Sequence, residues 1–346
     1  MSRILFLIVV FFSIAASAQQ ESPFNRIIVD NTENDTYSFL ISGHFYGGSS
    51  NSTHYPTNTL LANLDWINST DASMLICLGD LFKDISNEIP QYKSSFFNKL
   101  NIPLFNAVGN HDLTGDIYQE NFGATFFYFH LNGDLHCVLD TEINNGDIIN
   151  DQLKMIQAIA KICKENVINN VFFYAHRTVW KNSYQELDGL FVENTQGIGD
   201  PNFKSDILPI LDEISDKAEV FWFAGSLGPA PASFFYFEDT ENEVTYIATA
   251  IRGLLRDALL AVDIDKGKVS FRPVSLTGQD LEPIEFYNVP YWNENVGVEP
   301  FNWRLFPYYV QLMLTHWYFW LGGLFGALLI VVIIFFKRKF SKRKLI

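Results

Sequence analysis

The sequence contains little cysteine. Its 346 residues include three cysteines, Cys77, Cys137 and Cys163, which are too few and too scattered for a disulfide framework. Cys77 and Cys137 lie inside apolar runs, where a cysteine usually serves as a small buried hydrophobic side chain. We therefore expect a fold that is stabilised by a hydrophobic core, for which a chain of this length is sufficient.

Basic residues are also scarce, and they are unevenly distributed. The chain has 24 lysines and arginines against 39 aspartates and glutamates, and six of the 24 lie in the C-terminal sequence KRKFSKRKLI. The segment 19–316 keeps 17 basic residues against all 39 acidic ones, a net charge of −22. We therefore expect neither nucleic acid nor an anionic membrane surface to be a partner of this segment.

Long apolar runs occur at the two ends of the chain. Residues 1–18 contain Arg3, an apolar run and the sequence ASA, a pattern typical of a cleaved signal peptide. Residues 317–336, WYFWLGGLFGALLIVVIIFF, are as long as a bilayer-crossing helix, and the alternative is a buried core helix. The basic tail 337–346 favours the crossing helix. It predicts a single-pass membrane protein, with the tail cytoplasmic and the main domain periplasmic, luminal or extracellular.

The remaining chain alternates between strand-like and helix-like stretches. Apolar runs separated by amphipathic stretches predict an α/β sheet that is covered on both faces. The later strand-like runs have no helices between them and suggest a second sheet. We expect residues 19–275 to form the exported domain and the aromatic, proline-containing residues 276–316 to form a connector to the membrane. Sequons at Asn34, Asn51 and Asn68 would carry glycans only in a eukaryote. The predicted strands are Tyr37–Ile41, Met74–Leu78, Leu104–Val108, Leu135–Leu139, Asn170–Tyr174 and Val220–Ala224, followed by Ala232–Phe237, Val244–Thr249, Ala258–Ile264 and Lys268–Val274. The predicted helices are Thr59–Ile67, Lys93–Leu100, Asp151–Cys163 and Asp206–Lys217.

Polar side chains that can bind metals follow the C-terminal ends of these strands. They stand in the sequences ISGH, CLGDLFKD, AVGNHD and YAHR. Because ligand sites of α/β sheets form along that edge, we expect these loops to converge. Carboxylate, amide and imidazole groups without thiolates favour Mn, Fe or Zn. A metal there would acidify a bound water for attack on a phosphoryl group, and a nearby histidine could protonate the leaving oxygen.

These sequences resemble the calcineurin-like metallophosphoesterases. That family carries D-x-H, G-D-x-x-D, G-N-H-D/E, a lone histidine after a strand, and G-H-x-H, in this order. Here GDLFKD (79–84), GNHD (109–112) and the histidine of FFYAH match the second, third and fourth patterns. The resemblance covers residues 37–274. It implies a β-sandwich flanked by helices, in addition to the C-terminal membrane helix.

The resemblance also implies a set of metal ligands, and this chain departs from it. The positions of the first metal are Ser42, His44, Asp80 and Gly228, so two of the four ligands are missing. The positions of the second metal are Asp80, Asn110, His176 and Ser226, so three of the four remain. His111 keeps the position of the family's general acid or phosphate contact. The remaining ligands leave two expectations, one divalent metal (Mn, Fe or Zn) on Asp80, Asn110 and His176, or no metal at all. For His44 a hydrogen bond to backbone is the alternative.

Two functions remain open at this stage. The first is a membrane-anchored module for binding or assembly beside other membrane proteins, which lacks the standard two-metal site. The second is an active phosphoesterase with a single metal that hydrolyses a phosphate ester outside the cytoplasm. We also hypothesise that Arg177, together with Arg252, supplies positive charge for an anion where metals are missing.

Overall fold

The structure is a computed structural model, and it describes residues 20–30, 35–48, 51–191, 201–228, 230–295, 306–315 and 317–342. The predicted signal peptide 1–18 and the sequon at Asn34 lie outside these residues. The chain divides into two compact units, residues 1–298 and 299–346.

The first unit is a mixed α/β fold with two sheets. Its described strands are β1 (Thr36–Ser42), β2 (Leu75–Cys77), β3 (Leu104–Asn106), β4 (Phe127–Leu131), β5 (Asp134–Val138), β6 (Asn170–Ala175), β7 (Glu219–Ala224), β8 (Phe234–Asp239), β9 (Val244–Thr249), β10 (Ala258–Asp265) and β11 (Lys268–Ser275). Its described helices are α1 (Asn58–Ala62), α2 (Leu64–Asn68), α3 (Ile85–Ser95), α4 (Ile117–Phe122), α5 (Asn150–Glu165), α6 (Leu208–Ser215) and α7 (Val289–Asn295).

The parallel strands are neighbours in each sheet, at one side of the first sheet and at the centre of the second. The first sheet has the order β11-β10-β1-β2-β3, in which β1, β2 and β3 are parallel. The second has the order β4-β5-β6-β7-β9-β8, in which β5, β6, β7 and β9 are parallel. The C-terminal ends of these parallel strands are the ends from which the predicted metal-binding loops leave.

The two sheets pack face to face over an apolar interior. Phe39 and Ile41 of the first sheet share one hydrophobic cluster with Phe172 and Phe223 of the second, and all four are buried. A further cluster lies between each sheet and its helices. On α5, the buried residues Ile156, Ile159 and Cys163 recur every three to four positions, which is why this helix presents one apolar stripe to the sheet. The architecture is therefore a sandwich with helices on both outer faces.

A chain of hydrogen bonds crosses the sandwich interior. Tyr37 of β1 donates to Asp134 Oδ2 at 2.6 Å, and its hydroxyl lies 3.2 Å from His136 Nε2. His136 Nδ1 lies 2.8 Å from the Tyr174 hydroxyl, which can donate to it. Burial lowers the pKa of His136 to about 3 and raises that of Asp134 to about 6. His136 is therefore neutral at physiological pH. In this form one ring nitrogen donates and the other accepts, so the Tyr37 and Tyr174 hydroxyls satisfy both.

All ten strands that the sequence predicts are present, with small changes at their ends. Strand β4 was missed. The predicted helix Asp151–Cys163 is confirmed as α5. The single predicted helix Thr59–Ile67 is wrong, because the chain leaves helical geometry at Asn63 and forms α1 and α2 instead.

The helix predicted at Lys93–Leu100 is also wrong. Helix α3 begins earlier, at Ile85, because Asp84 caps it by accepting from the Ser86 backbone N–H. Pro90 lies inside the helix, where it removes one backbone hydrogen bond. The stretch Asp206–Lys217 contains a turn of π-helix followed by α6. The late strands do not form a sheet of their own, since β8 and β9 join the second sheet and β10 and β11 join the first.

Part of the predicted connector 276–316 packs onto the first unit. Ile284 and Trp292 are buried, and the Trp292 indole donates to the Phe234 carbonyl at 3.0 Å. This stretch has regular structure that its sequence did not reveal, because its aromatic side chains follow no single period. Residues 296–305 and 316 lie outside the described residues.

The second unit contains α8 (Phe306–Thr315) and α9 (Trp317–Lys342). Helix α9 covers the predicted membrane span 317–336, although the side chains of residues 331, 332 and 335–342 are not described. Among the described residues, no helix is long and apolar enough to cross a membrane. The crossing helix stays a prediction.

Candidate metal centre

Loops from both sheets meet at one end of the sandwich. His44 follows β1, Asp80 follows β2, and Asn110 and His111 follow β3 in the first sheet, while His176 follows β6 in the second. Backbone hydrogen bonds tie these loops together. The His44 N–H donates to the Gly79 carbonyl at 2.9 Å, and the Gly225 N–H donates to the His176 carbonyl at the same distance. Residues far apart in sequence therefore converge as predicted from the strand ends.

The close approach of these loops depends on glycine. A Cβ on Gly225 would lie 1.9 Å from the Leu78 carbonyl oxygen, so the loop after β7 touches the loop after β2 directly. Gly79 has a φ of +85°, and a Cβ there would lie 2.4 Å from His176 Nδ1. Any larger residue at either position would push the two sheets apart at the candidate site.

Three side chains form a cluster that could hold a metal ion. One ligand atom each of His44, Asp80 and His176 lies within 4.8 Å of the others, and all three residues are buried. His44 Nδ1 is 3.4 Å from Asp80 Oδ2, and His176 Nε2 is 3.6 Å from Asp80 Oδ1. These distances are longer than those of ordinary charge-assisted hydrogen bonds. The ligand atoms of the three residues are therefore grouped around a common centre.

The hydrogen bond of His176 fixes which of its nitrogens faces the cluster. His176 Nδ1 lies 2.8 Å from the Leu78 carbonyl oxygen, which can only accept, so Nδ1 carries a proton. In the neutral ring, Nε2 then presents a lone pair toward the Asp80 carboxylate. Two acceptors facing each other repel unless a cation or a proton lies between them. This is the arrangement in which an outer carbonyl orients a metal-binding histidine.

His44 has no hydrogen-bond partner at either ring nitrogen among the described residues, although it is only 6% exposed. The alternative that it hydrogen-bonds to backbone as an ordinary strand-end histidine is therefore wrong. Buried polar atoms are normally satisfied, and an orphaned one calls for a missing partner. A metal ion bound by His44, Asp80 and His176 would supply it, so the residues present fit one ion.

Electrostatics place Asp80 and His44 in the protonation states that bind metals. Burial acts to raise the pKa of Asp80, but His176, His44 and His111 outweigh it, and the pKa falls below its usual value. Burial lowers the pKa of His44 far below its usual value, against the attraction of Asp80. The cluster therefore presents a carboxylate and a neutral imidazole at neutral pH, which are the forms that coordinate metal ions.

Two of the cluster residues also have unfavourable backbone conformations. His44 has a φ of 56° and Asp80 a φ of 54°, in the left-handed region that residues with a side chain seldom occupy. Each such residue costs about 1–3 kcal/mol, and residues of this kind concentrate at functional sites. The backbone strain is thus located at two of the three residues that form the cluster.

The GNHD sequence holds its shape through Asp112. Its carboxylate accepts from the Gly109 and Phe82 backbone N–H groups and from Asn106, so Asp112 stabilises the turn. The backbone N–H of His111 donates to Asp80 Oδ1 at 3.2 Å, and its ring Nδ1 lies 2.8 Å from the Lys83 carbonyl. His111 is therefore beside the cluster and directs Nε2 away from that carbonyl.

Arg177 is paired with a glutamate that the sequence reasoning did not single out. Its guanidinium donates to both carboxylate oxygens of Glu142, at 2.6 and 2.8 Å, and the two side chains are 13% and 11% exposed. Burial acts to lower the pKa of Arg177, but Glu142 and Asp80 raise it above its usual value. Arg177 also donates to Asn110 Oδ1 at 2.9 Å, the atom through which Asn110 would bind a second metal. Its positive charge is therefore largely compensated.

The positions without ligands are occupied by small groups. Ser42 Oγ lies 3.3 Å from Thr249 Oγ1 in the sandwich interior, and the Ser226 backbone N–H donates to the His176 carbonyl at 2.8 Å. Gly228 has no side chain. Nothing at Ser42 or Gly228 offers the charge or the imidazole that the family pattern has there, so the described residues hold ligands for one ion.

Comparisons with known proteins concern the fold. No model of a protein family matches the sequence, and no curated protein matches it. Among solved structures, the chain is similar to a purple acid phosphatase from yellow lupin (Lupinus luteus) seeds, with 11% identity and a TM-score of 0.46 over 77% of this chain and 54% of that one. It is also similar to a dimetal phosphatase from Danio rerio, with 9% identity and a TM-score of 0.49 over 69% of this chain and 96% of that one. The chain spans about half the length of the lupin phosphatase.

Proposed function

We propose that this chain is a phosphoesterase that works with a single divalent metal ion, held by His44, Asp80 and His176. The observation that carries this proposal is the buried His44 ring, which has no hydrogen-bond partner among the described residues, lies beside the Asp80 carboxylate and stands on a residue with a strained backbone. Three protein ligands that leave a position open to water are an accepted catalytic arrangement. The ligand atoms favour Mn, Fe or Zn.

A single ion follows from the charge in the site. Two divalent ions about 3.5–4 Å apart require carboxylates between and around them. Asp80 is the one carboxylate in the cluster, and Ser42 stands where the family pattern has another aspartate. The guanidinium of Arg177 also donates to Asn110 Oδ1, the atom that a second ion would need as a ligand. A second divalent ion would meet repulsion without compensation.

The surrounding residues support hydrolysis of a phosphate ester. When bound, the ion would supply an acidified water and a positive charge for the phosphoryl oxygens. His111 lies next to Asp80, and its Nδ1 is engaged with the Lys83 carbonyl. The Lys83 carbonyl holds the proton on Nδ1, so Nε2 is the atom that would first take up a proton and then give it to the leaving oxygen. The substrate would be a phosphate ester outside the cytoplasm.

The second candidate is a binding or assembly module without catalysis. The losses at Ser42, Ser226 and Gly228 favour it, because a fold can keep its loops while its chemistry is lost. It differs from the first candidate in one measurable respect, since a module of this kind has no need for a tightly held ion.

Metal content and turnover decide between the two candidates. The full chain is purified in detergent, stripped with a chelator and re-equilibrated with Mn²⁺, Fe²⁺ or Zn²⁺. We expect one ion per chain and hydrolysis of an aryl phosphate that depends on it. His44→Ala should weaken metal binding by more than about 100-fold. Losing a group that only hydrogen-bonds to a ligand already costs about 10- to 100-fold in affinity, and His44 is itself a ligand. The matched change His130→Ala, on the exposed side of β4, should have no effect. Two ions per chain, or none, would contradict the proposal.

We further propose that residues 317–336 anchor the chain in a membrane, with the first unit exported and the tail 337–346 cytoplasmic. The uncharged run and the basic block after it support this topology. In cells, the chain should remain in the membrane fraction after a high-salt wash, and protease added from the exoplasmic side should digest the first unit while sparing a C-terminal tag. Replacing residues 321–334 with a polar sequence should release the chain, and release of the unaltered chain by salt would contradict the anchor.

A further inference from the structure

Arg252 lies beside the candidate site because of a contact between the two sheets. Gly43 and Ala250 form a parallel bridge, and the Ile251 N–H donates to the Gly43 carbonyl at 3.1 Å. Arg252 follows directly, next to the loop that carries His44. Its backbone N–H donates to Asp257 Oδ1 at 2.8 Å, which fixes the start of this loop.

The guanidinium of Arg252 extends toward the part of the site that has lost its ligands. Its Nη1 donates to the Leu227 carbonyl at 3.3 Å, and Leu227 stands between Ser226 and Gly228. A cation therefore stands where the resemblance implies imidazole ligands of a metal.

The two arginines of the site differ in their charge balance. Arg177 forms a two-point ion pair with Glu142. For Arg252, the described part of the chain places no carboxylate within ion-pair distance of the guanidinium. The guanidinium donates to the Leu227 carbonyl, and the bond to Asp257 comes from the backbone N–H of Arg252. Arg252 is half-buried, so its charge is only partly screened by water.

We propose that Arg252 is the residue that binds the phosphoryl oxygens of the substrate, and that Arg177 is a positioning residue that holds Asn110. This inference rests on the proposed function. A guanidinium matches phosphate geometry with two parallel donors. With one divalent ion bound, the charges of Asp80 and Arg252 cancel and about two positive charges remain, which matches the dianion of a phosphate monoester. Arg252 thus takes the electrostatic role of the missing metal.

The test measures binding of inorganic phosphate by calorimetry, with the full chain in detergent, both after metal removal and with Mn²⁺. Arg252→Met should raise the Kd for phosphate about 10- to 100-fold in the Mn²⁺ form, the range for one charge-assisted hydrogen bond. Arg177→Met should change it by less than about threefold, since the charge of Arg177 is already compensated. Arg272→Met is the matched control, because Arg272 pairs with Asp263 on the exposed surface.

The outcomes separate this inference from the proposed function. A Kd for Arg252→Met that equals the wild-type value overturns the inference, as does a larger effect of Arg177→Met, or an absence of phosphate binding by the wild type in both metal states. If the chain binds no metal, the proposed function fails, and the metal-free comparison still decides the role of Arg252. If Arg252→Met fails to fold, Arg252→Lys replaces it, and its Kd should exceed that of Arg272→Lys.

Discussion

Asp80→Asn is expected to abolish metal binding and hydrolysis while leaving the metal-free protein as stable as the wild type, or more stable. The asparagine keeps an oxygen for the His111 backbone N–H. Its amide nitrogen, in the place of Oδ2, would also donate to His44 Nδ1, which now faces that carboxylate oxygen at 3.4 Å. Satisfying an orphaned buried group is worth about 1–3 kcal/mol. The only carboxylate charge of the cluster is lost at the same time.

Thermal unfolding with and without metal measures this combination. In the wild type, Mn²⁺ should raise the Tm, because the ion binds the folded state. In Asp80→Asn the Tm should not respond to Mn²⁺, and its metal-free value should equal or exceed that of the metal-free wild type. Asp84→Asn is the matched control, since Asp84 caps α3 outside the cluster and should leave the response to metal intact. A strongly destabilised metal-free Asp80→Asn would show that the carboxylate serves the fold instead of an ion.

Gly225→Ala is expected to destabilise the first unit by more than about 3 kcal/mol, beyond most overpacking changes. The added Cβ would lie 1.9 Å from the Leu78 carbonyl oxygen and 2.6 Å from the Leu78 Cβ. Leu78 cannot move away easily, because its N–H donates a hydrogen bond to the Ser42 carbonyl and its own carbonyl accepts one from the His176 ring. Moving Leu78 would also release the His176 ring from its orientation.

Denaturant unfolding of Gly225→Ala and Gly278→Ala tests this expectation. A Cβ on Gly278 meets nothing within 4 Å, and its φ of +78° leaves only the backbone cost of about 1–2 kcal/mol. Gly225→Ala should therefore lose more stability than Gly278→Ala, and its metal affinity should also fall. Equal losses would mean that the loops after β2 and β7 can separate without harm to the domain.

Local patterns in the sequence predicted most of the strands and the end of the sheet at which the loops gather. Strands β2, β3 and β6 are short apolar runs that end at GD, GNH and a lone histidine, so their positions follow from residues close in the chain. Strand β4 was missed although its sequence FYFHL is largely aromatic, and it is an edge strand whose residues are only partly buried. The start of α3 was missed because Pro90 masks the helical pattern around it.

The sequence by itself determined the α/β class, the exclusion of disulfides, and the set of His, Asp and Asn side chains at the strand ends. Only the tertiary structure decided which of them face one another. It decided that β10 and β11 join the first sheet, that the His44 ring has no hydrogen-bond partner within the part of the chain that the structure describes, and that Glu142 compensates Arg177. The physical reason is that pairing of charges and satisfaction of buried atoms depend on contacts between loops about 30 to 200 residues apart, and the local periodicity from which strands are predicted carries no information on such contacts.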